Sequence, residues 1–166
     1  MQDFMLWGNL MEKTYIIPIE LKETGEKEEN IFSRVAELKL HEKQITAKDI
    51  TNLIEENLKE IAKNNVEISF VGEYFTKLDL DKQEELLSSI LPYIKDGKIS
   101  NITIETMPQY ITRENLKVLR KYKVKNIKLN VATLNNYLLK RAGFPFTYEE
   151  IKKSSKLIKR MGFNLI

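Results

Sequence analysis

The chain of 166 residues contains no cysteine. That absence removes disulfides, thiolate nucleophiles and every cysteine-held metal centre from consideration. One histidine, His41, is too few for a histidine metal site or a Ser/His/Asp triad, so no metal site is expected. Beside Glu42 in a polar stretch, it reads as a solvent-exposed side chain. Six glycines and four prolines are too few for a fibrous or low-complexity chain. No run of 18 apolar residues occurs, so no membrane-spanning helix is expected. Met1–Met11 carries Phe4, Leu6 and Trp7 but also Asp3, without a basic start, and does not read as a signal peptide. The expected compartment is the cytoplasm.

What is present fits one charged, soluble domain: 42% of the residues are hydrophobic and 31% charged. An N-terminal arm over residues 1–14, anchored by Trp7, would precede a single domain over 15–166. The net charge of +3 conceals an asymmetry, because residues 1–110 hold 13 basic against 21 acidic side chains, whereas residues 111–166 hold 14 against 3. The second part, at +11, carries Arg120, Lys121, Lys152, Lys153 and Lys156 close to tyrosines, a pattern suited either to nucleic acid or to solvated helix faces.

Apolar spacing sets the order of elements. Tyr15–Ile19 alternates as a strand, and a long polar connection follows. Thr46 caps a helix to about Asn64, with Ile50, Leu53, Ile54, Leu58 and Ile61 on one face. Strands are expected at Val66–Val71, Asn101–Thr106 and Asn126–Val131, with helices at Leu80–Ile94, after Thr112, over Leu134–Ala142 and after the capping box Thr147-x-x-Glu150. Phe163–Ile166 begins one more strand. Such β/α alternation means parallel strands with right-handed crossovers, as in an open doubly wound sheet or a piece of a β/α barrel. Thr103, Glu105, Lys128 and Asn130 alternate with apolar residues, which suits a polar lumen better than a sheet covered on both sides. The expected fold is therefore α/β: a partial parallel (β/α) barrel of about four β/α units plus the start of a fifth strand.

Several stretches also carry a resemblance. Pro18-Ile19 leads into Gly25-Glu26-Lys27-Glu28-Glu29-Asn30-Ile31-Phe32-Ser33, and Glu67-Ile-Ser-Phe-Val-Gly-Glu-Tyr-Phe-Thr76 lies further on. Thr106-Met-Pro-Gln-Tyr-Ile111, Ile127-Lys-Leu-Asn-Val-Ala-Thr133 and Gly143-Phe-Pro-Phe-Thr147 follow. From Tyr15 to Ile166 the chain resembles the radical S-adenosylmethionine superfamily, in the branch of the elongator catalytic subunit, and the resemblance stops where the fifth strand should begin. It implies a [4Fe–4S] cluster on three cysteines, but Glu26, Asn30 and Ser33 stand at those positions. It implies a cofactor-binding turn and strand ends at Gly72, Glu73, Tyr74, Thr106, Lys128 and Asn130, where Gly72 and Thr106 are kept and the others altered. A carboxylate at Glu73 would repel the carboxylate of the nucleoside cofactor.

The expectation is a non-catalytic, cluster-less relative that binds something or regulates an active paralogue, with no cofactor of its own. Two alternatives stand beside it. One is an RNA-binding module using the basic C-terminal part, in line with the elongator branch's action on transfer RNA. The other is an enzyme with replaced chemistry, using Glu26, Glu73, Glu105 and Lys128 at the strand C-terminal ends. An incomplete barrel leaves strand edges to cover, and opposite charges in the two parts favour a homodimer.

Overall fold

The computed structural model describes residues 14–21, 45–61, 65–72 and 74–166. The strands are β1 (Thr14–Glu20), β2 (Asn65–Val71), β3 (Asn101–Thr106), β4 (Asn126–Leu129) and β5 (Asn164–Leu165), and the helices α1 (Ala47–Glu60), α2 (Leu80–Lys95), α3 (Arg113–Lys121), α4 (Asn136–Arg141) and α5 (Tyr148–Arg160). All pairings are parallel, and the sheet order is β1-β2-β3-β4-β5. This order separates the two architectures left open by alternation. A doubly wound sheet reverses direction at a switch point, whereas consecutive right-handed crossovers in one direction keep the helices on one side. The sheet is thus an arc of a β/α barrel, and it does not close among the described residues. No described helix is long and apolar enough to cross a membrane.

Register explains what each side of the arc holds. Ile17, Ile68 and Ile102 align across β1–β3, and Ile19, Phe70, Ile104 and Ile127 form the next row. These residues are buried against the helices, joined by Ile50 and Ile54 of α1, Leu86, Leu87 and Ile90 of α2 and Leu116 and Leu119 of α3. Phe70 and Phe75 meet at 4.5 Å between ring centroids, a spacing at which tilted aromatic pairs attract. The intervening positions, Pro18, Ser69, Thr103 and Asn126, face the other way.

Caps set most helix boundaries. Thr46 and Thr147 each form a reciprocal capping box, with Asp49 and Glu150 respectively, and Thr112 accepts from the Asn115 amide. α1 ends at Glu60, short of the expected Asn64, because Ile61 is already extended (φ −96°, ψ 99°). α4 begins at Asn136 rather than Leu134, since Asn135 accepts from the amides of Tyr137 and Leu138 and is itself the cap. β4 leaves the ladder after Leu129, although the Asn130 amide still donates to the Thr106 carbonyl at 3.0 Å. Thr14, assigned to the arm by sequence, opens β1. The rest of the arm, including Trp7, and His41 fall outside the described residues.

Candidate functional site

In β/α folds the C-terminal ends of the strands are where chemistry is placed, and here they bring Leu21, Gly72, Tyr74, Thr106, Lys128 and Asn130 to one end of the sheet. Gly72 has φ +95°, and a Cβ there would lie 2.6 Å from the Leu21 carbonyl oxygen. The glycine is thus required by the close approach of β1 to the β2 turn, before any ligand is considered. Tyr74 makes one antiparallel bridge to Thr106, and its ring packs on the edge of the core. Thr106 itself is fully buried, with its hydroxyl bonded to that of Thr76.

Behind these residues lies a polar clamp that sequence reading did not single out. Asn115 Nδ2 donates to the carbonyls of Thr76 and Tyr110, both at 2.8 Å, and Gln83 Nε2 donates to Asn115 Oδ1 at 3.3 Å and to the Leu78 carbonyl at 2.7 Å. The clamp ties the single 3₁₀ turns after β2 (Phe75–Lys77) and after β3 (Pro108–Tyr110) to helices α2 and α3. Its sequence signal is two amides on otherwise apolar helix faces, Gln83 beside Leu86 and Leu87 and Asn115 beside Leu116 and Leu119.

The other face of the sheet carries its own polar chain. Lys128 and Glu105 stand opposite each other, with Nζ 3.3 Å from Oε1. The Glu105 side chain is 15% exposed and that of Lys128 51%. One row away, Asn126 Nδ2 donates to Thr103 Oγ1 at 3.2 Å, and Asn164 Nδ2 to Asn126 Oδ1 at 3.0 Å. Three strands are therefore cross-linked by side chains on the face where a ligand would lie. Asn126 and Asn164 were not among the expected site residues, although each falls in the same row as Thr103.

The remaining expected positions separate into groups. Glu26, Asn30, Ser33 and Glu73 fall outside the described residues. Lys121 pairs with Glu84 at 2.7 Å, and Arg120 donates to the Met161 carbonyl at 3.3 Å. The Lys121 ammonium, aided by the Tyr122 hydroxyl, holds the Glu84 carboxyl below the usual carboxylate range despite some desolvation. Lys152, Lys153 and Lys156 project from the exposed side of α5. Among the described residues no group of three His, Asp or Glu side chains converges as a metal site.

A singly wound parallel arc with its polar positions at the strand C-termini defines the class of a partial β/α barrel. A profile of the Radical SAM superfamily matches residues 32–166, and the chain belongs to that superfamily. The heme chaperone HemW of Lactococcus lactis subsp. lactis is 33% identical over 89 residues, covering 54% of this chain and 24% of the relative. Among solved structures, an N-terminally deleted Elp3 of Methanocaldococcus infernus superposes with a TM-score of 0.65 at 15% identity, over 92% of this chain and 36% of that one. The cobalamin-dependent radical enzyme OxsB, in its apo form, gives 0.63 at 15% identity over 93% and 23%. These two likenesses concern the fold, and the chain spans well under half the length of each of these three proteins.

The superfamily implies an iron–sulfur cluster, and the donor set here does not fit one. Soft thiolates hold such clusters, and at Glu26, Asn30 and Ser33, where the resemblance would place cysteines, the sequence has a carboxylate, an amide and a hydroxyl. No cysteine elsewhere in the 166 residues can substitute.

Proposed function

We propose that this chain is a non-catalytic, cluster-less member of the superfamily that acts by binding or regulation. The observation carrying the reading is the superfamily's parallel β/α framework in a chain without cysteine. The Glu105–Lys128 pair and the Thr103–Asn126–Asn164 chain support it, since they bond the polar face to itself. Such a face can position a ligand by shape and hydrogen bonds without generating a radical. An ion pair with its lysine half in water is also what a structural pair looks like, so Glu105 and Lys128 favour architecture over proton transfer. In the regulatory form of this reading the partner is an active paralogue or a second copy of the chain.

The test is anaerobic reconstitution with iron and sulfide, followed by metal analysis and calorimetry with S-adenosylmethionine. The expected result is a colourless, iron-free protein with no micromolar cofactor binding. An absorbance near 400 nm with about four irons per chain would overturn the reading. The heme named for the curated relative supplies the first ligand to titrate, since the likeness to that chaperone covers 54% of this chain. A saturable shift in the haemin spectrum would give the binding role its ligand.

A further inference from the structure

The outer surface of α4 and α5 joins two features that the polar face does not explain. The first is aromatic. Tyr137 is 67% exposed and Tyr148 38%. The Tyr148 amide donates to Asn136 Oδ1 at 2.7 Å, which fastens the start of α5 beside the start of α4. Leu139 of α4 and Ile151 of α5 join Phe146 in a buried cluster of their own, which packs the two helices that carry the rings. The second feature is charge. Residues 131–166 hold seven basic side chains and two acids, Glu149 and Glu150. Glu150 is committed to the capping box, with Oε2 accepting from the Thr147 amide at 2.7 Å, and Glu149 lies 3.8 Å from Lys152. Lys152 Nζ in turn sits 5.8 Å from the centre of the Tyr148 ring. Lys153, Lys156, Lys159 and Arg160 continue along the exposed side of α5 with no acidic partner among the described residues.

We propose that this surface binds single-stranded nucleic acid, with Tyr137 and Tyr148 as stacking platforms and the α5 cations along the phosphates. A single strand offers unstacked bases and phosphates together, the pairing that rings beside cations recognise. A duplex hides its base faces. Leu134 and Leu138 are exposed beside Tyr137, but α4 is only six residues long and the exposed side of α5 is charged, whereas an interfacial membrane helix needs a continuous apolar face. The proposed site uses none of the side chains of the polar face and stands whether or not that face proves inert. It also narrows the basic surface: Arg120 and Lys121 are engaged by Met161 and Glu84 and drop out.

The full chain is titrated against fluorescein-labelled 12-nucleotide oligo-U and oligo-dT by anisotropy. Four neutralised phosphates give a log–log salt slope of about −3. Tyr137→Ala and Tyr148→Ala each weaken binding roughly tenfold, while Tyr137→Phe, which keeps the ring, does not. Replacing Lys153 and Lys156 by Gln lowers the slope by about 1.4. Equal or tighter binding of a 12-base-pair duplex, or alanine variants that melt normally and bind like the parent, would reduce the surface to a phosphate patch and overturn the proposal. So would absence of binding at low salt, or binding to phosphatidylserine vesicles without binding to either oligonucleotide.

Discussion

The two faces of this sheet are built on opposite principles although they share every backbone atom. The helix-facing rows are isoleucine and phenylalanine at near-zero exposure, and their energy comes from apolar area removed from water. The opposite rows hold Ser69, Thr103, Glu105, Asn126 and Lys128, and Asn126 bonds to Thr103 and Lys128 to Glu105 from strand to strand. The first face needs only hydrophobic side chains of the right volume, so the barrel arc forms whatever happens on the second. The second face is therefore free to vary in its polar groups without loss of fold.

The division is broken most directly by cutting into the apolar face. Phe70→Ala removes a fully buried ring that packs on Phe75 and is expected to cost about 3–5 kcal/mol, read as a lower urea midpoint with an unchanged slope. Lys128→Ala on the opposite face, with its side chain half in water, is expected to cost less than about 1 kcal/mol. Similar losses from both would mean that the polar face supports the fold as strongly as the core.

Asn115→Ala comes next. It removes the donor that the Thr76 and Tyr110 carbonyls share and one of the two acceptors of the Gln83 amide, which keeps the Leu78 carbonyl, and groups stranded in a buried site cost about 1–3 kcal/mol. The expected loss is about 2–3 kcal/mol, with Asn115→Asp restoring little because a carboxylate cannot donate to the two carbonyls. Gly72→Ala follows at about 1–3 kcal/mol, from a side chain forced to φ +95° and against the Leu21 carbonyl. A Gly72→Ala protein as stable as the parent would show that β1 yields at its C-terminal end.

Sequence carried the framework because the framework is periodic. β3 runs over the expected residues Asn101–Thr106, and both capping boxes and the Thr112 cap form, since each depends on residues within one turn. The order of strands and helices is the same for doubly and singly wound sheets, so the architecture was legible only in the polar positions Thr103, Glu105, Lys128 and Asn130, and the strand order bears out the barrel arc they pointed to. The start of α4 was misplaced because Asn135 captures two amides, a local bond that outweighs the apolar run from Leu134. The clamp of Gln83, Asn115 and Thr76 stayed hidden because its members come from elements up to 39 residues apart. That Glu105 and Lys128 share a face was legible from parity, and the β3–β4 register sets them directly opposite.

The smallest expected effect belongs to a contact on neither face, where the acidic and basic parts of the chain meet at Glu84 and Lys121. Hydrogen bonding to Lys121 lowers the Glu84 carboxyl, and the same bond raises the Lys121 ammonium. A lowered acid contributes stability that is present above its unfolded value and is lost as pH falls through the folded one. A raised base contributes stability that is present below its unfolded value and is lost as pH rises through the folded one. The pair therefore supports the fold across neutral pH and fades at both ends, with the acid side set by Glu84. Both groups stand at the surface, where screening keeps such pairs weak. Lys121→Met is expected to melt slightly below the parent at neutral pH and low salt. The gap should close once Glu84 is protonated, and also in about 1 M salt, where the Debye length falls to about 3 Å. A gap that persists in acid and in salt would assign the Lys121 contribution instead to its position over the Tyr122 ring, 5.1 Å from the centroid, a contact that does not require Glu84 to be charged.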